Sequence, residues 1–355
     1  MTPPSPPEPP PPSWRGFRWP AEWEPHRATW LTWPRRESDS FPGARYDAAA
    51  PVIARLIREI AAGEEVQLNV WDAAAGEEAR AHLARAGVPL ARVTLHEFPA
   101  YEPWCRDHGP LFLVRDGPPR ERALLNWGYN AWGGKYPPWD LDDQIPLRIA
   151  AFRGLPVRTP GWILEGGSLE SNGAGTLLTT ESCLLNPNRN PDLTRADWDR
   201  LLRDWLGARQ VIWLGAGIVG DDTDGHVDDL TRFVDARTLV TAVEPDPADP
   251  NHAPLAENLA RLRAARDPDG RPFRVVTLPL PGPVVQAGRR LPATHLNFYV
   301  ANAAVIVPTY RDPRDREALA TLRRLFPDRP VVGLDATDLI WGLGAFHCLT
   351  QPEFA

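Results

Sequence analysis

Short apolar runs alternate along this chain with longer stretches in which apolar residues recur every three or four positions. The runs over 28–33, 66–70 and 93–98 have the length and the β-branched or aromatic content of strands, whereas 49–62 and 77–86 carry the period of a helix. The alternation continues, with strands predicted over 176–180, 210–214, 238–242, 274–278, 297–302, 304–307 and 330–333. Helices are predicted over 196–206, 254–265 and 314–326. No long linker interrupts the series, so it predicts a mixed α/β chain folded as one domain over 14–355.

Residues 1–13 stand apart. They are mostly proline, which donates no backbone hydrogen bond, and are expected to be a polyproline-like or disordered tail. They also lack the basic and apolar regions of a secretory signal, and no later stretch is apolar and long enough to cross a bilayer.

Composition narrows the partners. With 43% hydrophobic and 24% charged residues over 355 positions, the chain can bury a large core. A formal charge of −7 argues against nucleic acid, which is held by clustered Lys and Arg. Three cysteines make no dense disulfide framework, which favours a reducing, cytoplasmic setting; a homo-oligomer is compatible with all of this.

Candidate chemistry lies in the Gly-rich interruptions. Cys348, in Gly342-Leu-Gly-Ala-Phe-His-Cys348, has backbone freedom, an adjacent histidine and polar Thr350 and Gln351 after it, a setting that suits a reactive thiolate better than a buried hydrophobe. Cys183 reads as core, and Cys105 beside Arg106 stays open. The segment 220–229 gathers five aspartates around His226 between glycines. If 227 onward is a strand, alternation puts His226 and Asp228 on one face. A metal site is the competing meaning of that segment, but its spacing fits neither a calcium loop nor a helical His pair. Asp107 precedes a Gly-Pro turn. Glu165, after an apolar strand predicted over 162–164 and before two glycines, is expected to be buried and to need a partner, for which His226 is the candidate. Among 15 tryptophans, Trp104 sits in the Asp107 segment and Trp132 in a Gly-rich aromatic loop suited to closing over an aliphatic or cationic ligand. Asp107, Glu165, His226, Asn297 and Cys348 fall roughly 50 to 70 residues apart, as one contribution per structural repeat would give.

Trp104-Cys-Arg-Asp-His-Gly-Pro110, Asn130-Ala-Trp-Gly-Gly134, Glu165-Gly-Gly167, Leu185-Asn-Pro-Asn-Arg-Asn-Pro191, 220–229 and His347-Cys348 together resemble the agmatine deiminases, the family that includes the Porphyromonas-type peptidylarginine deiminases. The resemblance runs from Trp19 to Gln351. It implies the pentein fold, a five-bladed α/β propeller with a central active site. It further implies Cys348 as nucleophile, His226 as general acid and base, Glu165 orienting His226, and Asp107 and Asp228 gripping a guanidinium. Asn297 matches a position near the site, and Trp104 and Trp132 are carried as substrate-binding. The ending 342–348 departs from the Gly-Gly-Gly-Asn-Ile-His-Cys of many relatives.

The activity expected is deimination of agmatine through an amidino-cysteine intermediate, with no metal or cofactor. Agmatine leads because no Arg or Lys near the motifs stands out as a clamp for a substrate carboxylate. The alternatives are another guanidine or peptidylarginine deiminase, a metal-dependent hydrolase built on 220–229, and a silent polyamine- or guanidine-binding protein.

Overall fold

Five small sheets repeat one arrangement. In each, a first strand runs antiparallel to a second, and a helix then carries the chain to a third strand parallel to the second. The computed structural model describes residues 10–355 of the chain, so most of the proline tail lies outside it; Pro12–Trp14 form one 3-10 turn.

The sheet formed by both ends of the chain pairs Gln351–Phe354 with His26–Thr32, which lies parallel to Glu65–Val70 after the helix Ala44–Ala61; Val93–Glu97 adds a fourth strand. The next sheets are Leu111–Arg115, Glu121–Leu125 and Val157–Arg158, then Glu170–Ser171, Thr176–Thr180 and Gln210–Leu214. Thr231–Asp235, Thr238–Val243 and Arg274–Pro279 form the fourth, and Tyr299–Val300, Val305–Thr309 and Val331–Asp335 the fifth.

Local sequence explains the regular pieces. Thr176–Thr180 is buried at every position, as a parallel strand covered on both faces must be. The helix Arg195–Leu206 starts at a capping box between Thr194 and Asp197 and buries Trp198, Leu201, Leu202, Trp205 and Leu206. It stops where Gly207 turns left-handed at φ 72°.

What matters for function is the chain just before each first strand. Cys105–His108 precedes Leu111, Gly166–Ser168 precedes Glu170, Val227–Asp229 precedes Thr231, and Phe346–Leu349 precedes Gln351, each a single helical turn. Asn297 stands two residues before Tyr299. These entry segments pack on one another, so a side chain presented once per unit reaches a shared interior.

Three expectations need correcting. Val227–Asp229 is a 3-10 turn and the strand begins at Thr231. In a strand, Asp228 and Asp229 would face opposite ways; here both accept from the Nδ2 of Asn297, at 3.4 and 3.0 Å, which a turn permits. The run 162–164 makes only an isolated bridge, Ile163 to Gly128, and 297–302 contributes only Tyr299–Val300.

A buried ionic cluster ties the units together. Arg232 has no exposed side chain; it bonds Glu22 at 2.8 Å, Glu170 at 2.9 Å, and the carbonyls of Leu296 and Phe298. Arg232→Leu would leave the buried Glu170 without a cation and remove one of the cations on Glu22, and the expected loss of stability in urea titration is about 3–5 kcal/mol. An unchanged midpoint would show that the cluster is dispensable.

Candidate active site

Three polar side chains converge over one glycine. A Cβ built on Gly167 would meet His226 Nδ1 at 2.6 Å, Asp107 Oδ1 at 2.8 Å and Asp228 Oδ2 at 3.1 Å, so only glycine lets the entry turns close around them. Asp107 accepts the Gly167 N–H on Oδ1 and the Trp132 indole N–H on Oδ2, each at 3.0 Å. Trp132 reaches it from a left-handed turn in which Ala131, Trp132 and Gly133 all have positive φ.

Cys348 is joined to this group by Asn297. The Asn297 Oδ1 accepts the backbone N–H of Ala345, His347 and Cys348, fixing the turn that carries the thiol. Its Nδ2 donates to the Cys348 sulfur at 2.9 Å, and Asp228 Oδ2 lies 3.5 Å from the same sulfur. Sequence reasoning singled out all five of these groups, and the structure brings Asp107, His226, Asp228, Asn297 and Cys348 into one buried cluster.

The electrostatics follow from crowding charge in a dry place. Burial first, then Asp228, Asp229 and Asp107, push the Cys348 thiol well above its ordinary value, with the Asn297 donor pulling the other way. Burial also lifts Asp107, to about 6, against the pull of His226. His226 is opposed by burial, yet Asp107, Cys183 and Asp228 raise it well above 6.5. Asp228 is the exception: burial works against its charge, but His347, His226 and Arg232 outweigh that and hold it low.

Above the cluster opens a cavity of about 440 Å³, with Cys348 and Asp107 at its walls between Trp104 and Trp132. Leu343 lines it from a left-handed backbone at φ 71°. Lys135 and Arg289 line it too, so two cations that the motifs did not mark as a carboxylate clamp border the cavity. Lys135 is engaged by the Asp222 carbonyl at 2.6 Å and by Asp224 at 2.9 Å.

Glu165 is buried as expected, but its partner is a different residue. Arg189 Nε donates to it at 2.9 Å, and His226 keeps both ring nitrogens without a hydrogen-bond partner among the described residues. Arg189 belongs to the Asn-rich motif 185–191, which was legible only as part of the family resemblance. Cys105 is enclosed, and burial pushes its thiol up to about 12. Cys183 is core, but its sulfur lies within 4.8 Å of donor atoms of Glu165 and His226.

Two trios could offer ligand atoms to a metal: Glu165, Cys183 and His226, and Asp228, Asp229 and Cys348. In the second, the Asn297 N–H already donates to all three members, where a cation would have to sit. In the first, the Arg189 cation already occupies Glu165.

At the level of fold, the structure resembles an amidinotransferase from Microseira wollei, with a TM-score of 0.51 at 11% identity over 95% of this chain and 96% of that one. Solved agmatine deiminases share this arrangement as well, so the fold is the α/β pentein fold of the deiminases and amidinotransferases. A profile of the Porphyromonas-type peptidyl-arginine deiminases matches residues 18–353, and the chain belongs to that family. It is 38% identical to an agmatine deiminase of Pseudomonas aeruginosa (strain LESB58), over 95% of each protein. It also superposes on the agmatine deiminase of Enterococcus faecalis with a TM-score of 0.87 at 31% identity, over 95% of this chain and 96% of that one.

Proposed function

We propose that this protein hydrolyses agmatine to N-carbamoylputrescine and ammonia in the cavity above Gly167. What carries the proposal is a cavity with Cys348 and Asp107 in its wall between Trp104 and Trp132, while His226 and Asp228 meet Asp107 over Gly167. Relatives named agmatine deiminase over almost their whole length support the choice of substrate. The five repeated sheets are taken as five blades of a pseudo-fivefold propeller, within a single catalytic domain over 14–355. Among the described residues no helix is long and apolar enough to cross a membrane; a cytoplasmic location is part of this proposal.

A guanidinium is flat, cationic and a donor along every edge, so Asp107 and Asp228 bind it as a fork while the aromatic walls hold the aliphatic chain. As the cationic guanidinium binds, the Cys348 thiol releases its proton to solvent; the thiolate adds to the guanidinium carbon, and the imidazolium of His226 gives its proton to the departing nitrogen, which leaves as ammonia. The resulting amidino-thioether is attacked by water, one proton of which restores the His226 imidazolium; collapse of the adduct expels the thiolate while the hydroxyl proton of the adduct passes to solvent, leaving the urea oxygen on the product. Glu165, locked by Arg189, supports the His226 wall instead of accepting from it.

The test is side-by-side ammonia release from agmatine, free arginine and a short peptide ending in arginine, with intact-mass analysis of rapidly quenched protein. Agmatine should be the best substrate, and the protein should gain about 113 Da, which is agmatine less ammonia. A second reading, a substrate with a carboxylate at its far end, is favoured by Arg289 in the cavity wall. Preference for the peptide or for arginine would select it. Binding of agmatine without ammonia or adduct would leave only a guanidine-binding protein.

A further inference from the structure

Asp228 is gripped from behind by a residue that family likeness and spacing left unassigned. His347, the neighbour of Cys348, is buried; its Nδ1 lies 2.6 Å from Asp228 Oδ2 and its Nε2 lies 2.8 Å from Glu22 Oε2. The ring is therefore held at both nitrogens, each against a buried carboxylate.

Glu22 is itself immobile. Its Oε2 also takes Arg106 Nη2 at 2.7 Å, while its Oε1 takes Arg232 Nη2 at 2.8 Å and the Val300 N–H at 2.9 Å. Arg106 further reaches back to the His347 carbonyl at 3.3 Å. The imidazole is thus fixed at one end to a point shared by several units of the fold, and at the other to a carboxylate of the site.

That geometry assigns the two oxygens of Asp228 different tasks. Oδ2 is occupied by His347, with longer approaches from Asn297 at 3.4 Å and the Cys348 sulfur at 3.5 Å. Oδ1 is buried and has no hydrogen-bond partner among the described residues. With Oδ2 held, the carboxylate cannot rotate, and Oδ1 is the oxygen free to meet a ligand.

Building on the deiminase function proposed above, we propose that His347 is a positioning residue, an imidazole fixed at both nitrogens that locks Asp228 so that Oδ1 faces the substrate guanidinium. It sits in the same single turn as Cys348, so one segment sets both the attacking sulfur and one arm of the fork. Misplacement of a reacting partner by about 1 Å costs roughly 10²-fold in rate, which sets the scale of the expected effect.

The experiment compares His347→Asn, His347→Gln and His347→Phe in agmatine turnover, with folding checked by circular dichroism and urea titration. The amide nitrogen of Asn overlays Nδ1 and keeps the bond to Asp228; that of Gln overlays Nε2 and keeps only the bond to Glu22. His347→Phe should lower kcat/KM by about 10²-fold. His347→Asn should recover roughly tenfold of that loss, ahead of His347→Gln, whatever the order of their stabilities. A merely structural role would follow stability instead. Activity of His347→Phe within about threefold of the parent, or recovery by Gln equal to that by Asn, would overturn the proposal. If position 347 tolerates no exchange, Glu22→Gln decides: a folded variant with kcat/KM about fivefold down or more supports it, and a smaller change overturns it. Failure of the unaltered protein to release ammonia from agmatine would strike the deiminase function itself, separately from His347.

Discussion

Cys348→Ala is expected to abolish agmatine turnover, by on the order of 10⁴-fold or more in kcat, while leaving the protein folded. The side chain is small, and Asn297 holds its turn through backbone bonds to residues 345, 347 and 348 that do not involve the sulfur. The chemistry has no substitute for the thiol. Without a ligand that thiol is strongly protonated, because burial and three carboxylates disfavour a further negative charge. A bound guanidinium supplies the missing positive charge, so the nucleophile forms only in the complex. The same variant should therefore bind agmatine without consuming it, and the parent protein should react slowly with iodoacetamide at neutral pH when no ligand is present. Turnover by Cys348→Ala within tenfold of the parent would remove covalent catalysis from this site.

The sequence was most legible in clearly bounded runs. Thr176–Thr180, buried at every position, and Gln210–Leu214, whose last three residues are buried, coincide with their predicted runs because both are short, rich in β-branched or aromatic residues and bounded by glycine or a helix. Shorter, mixed pieces escaped notice. Ile145–Arg153 opens on a proline-containing first turn and shows no one-sided apolar stripe. Gln351–Phe354 contains Pro352, tolerated because the strand lies at the edge of its sheet, and reads locally as the end of a turn.

At the site, the groups that could be found in advance are those that interrupt apolar runs beside glycine: Asp107, Glu165, His226, Asp228 and Cys348. Their spacing has a physical cause, because each stands in the entry to the first strand of a different unit, or in the same entry turn as another. What could not be found is the support behind them. Glu22 lies in an unremarkable N-terminal segment and acquires meaning only when Arg106, Arg232 and His347 fold onto it. Arg189 displaces His226 as the partner of Glu165 for the same reason: pairing across units leaves no local pattern.

Asp107→Asn is expected to lower kcat/KM by about 10²- to 10³-fold, the scale of about 2–5 kcal/mol for removing one charge of a desolvated pair. An amide is a particularly poor replacement here. Asp107 accepts from both the Gly167 N–H and the Trp132 indole, and an Asn can accept with only one of its two terminal atoms, leaving a donor facing a donor. The pH dependence carries a sign that tests the same point. Burial, with Asp228 and Glu165 nearby, raises Asp107 to about 6 in the free protein, despite the opposing pull of His226. As pH falls through that value Asp107 gains a proton and the fork loses one of its two charges, so kcat/KM should drop about tenfold per pH unit below roughly pH 6. Above it the carboxylate is ionised and this limb is flat. In Asp107→Asn the group that titrates near 6 is gone, so the residual activity should lose this acid limb. An unchanged limb in the variant would transfer it to another group and remove Asp107 from the guanidinium fork.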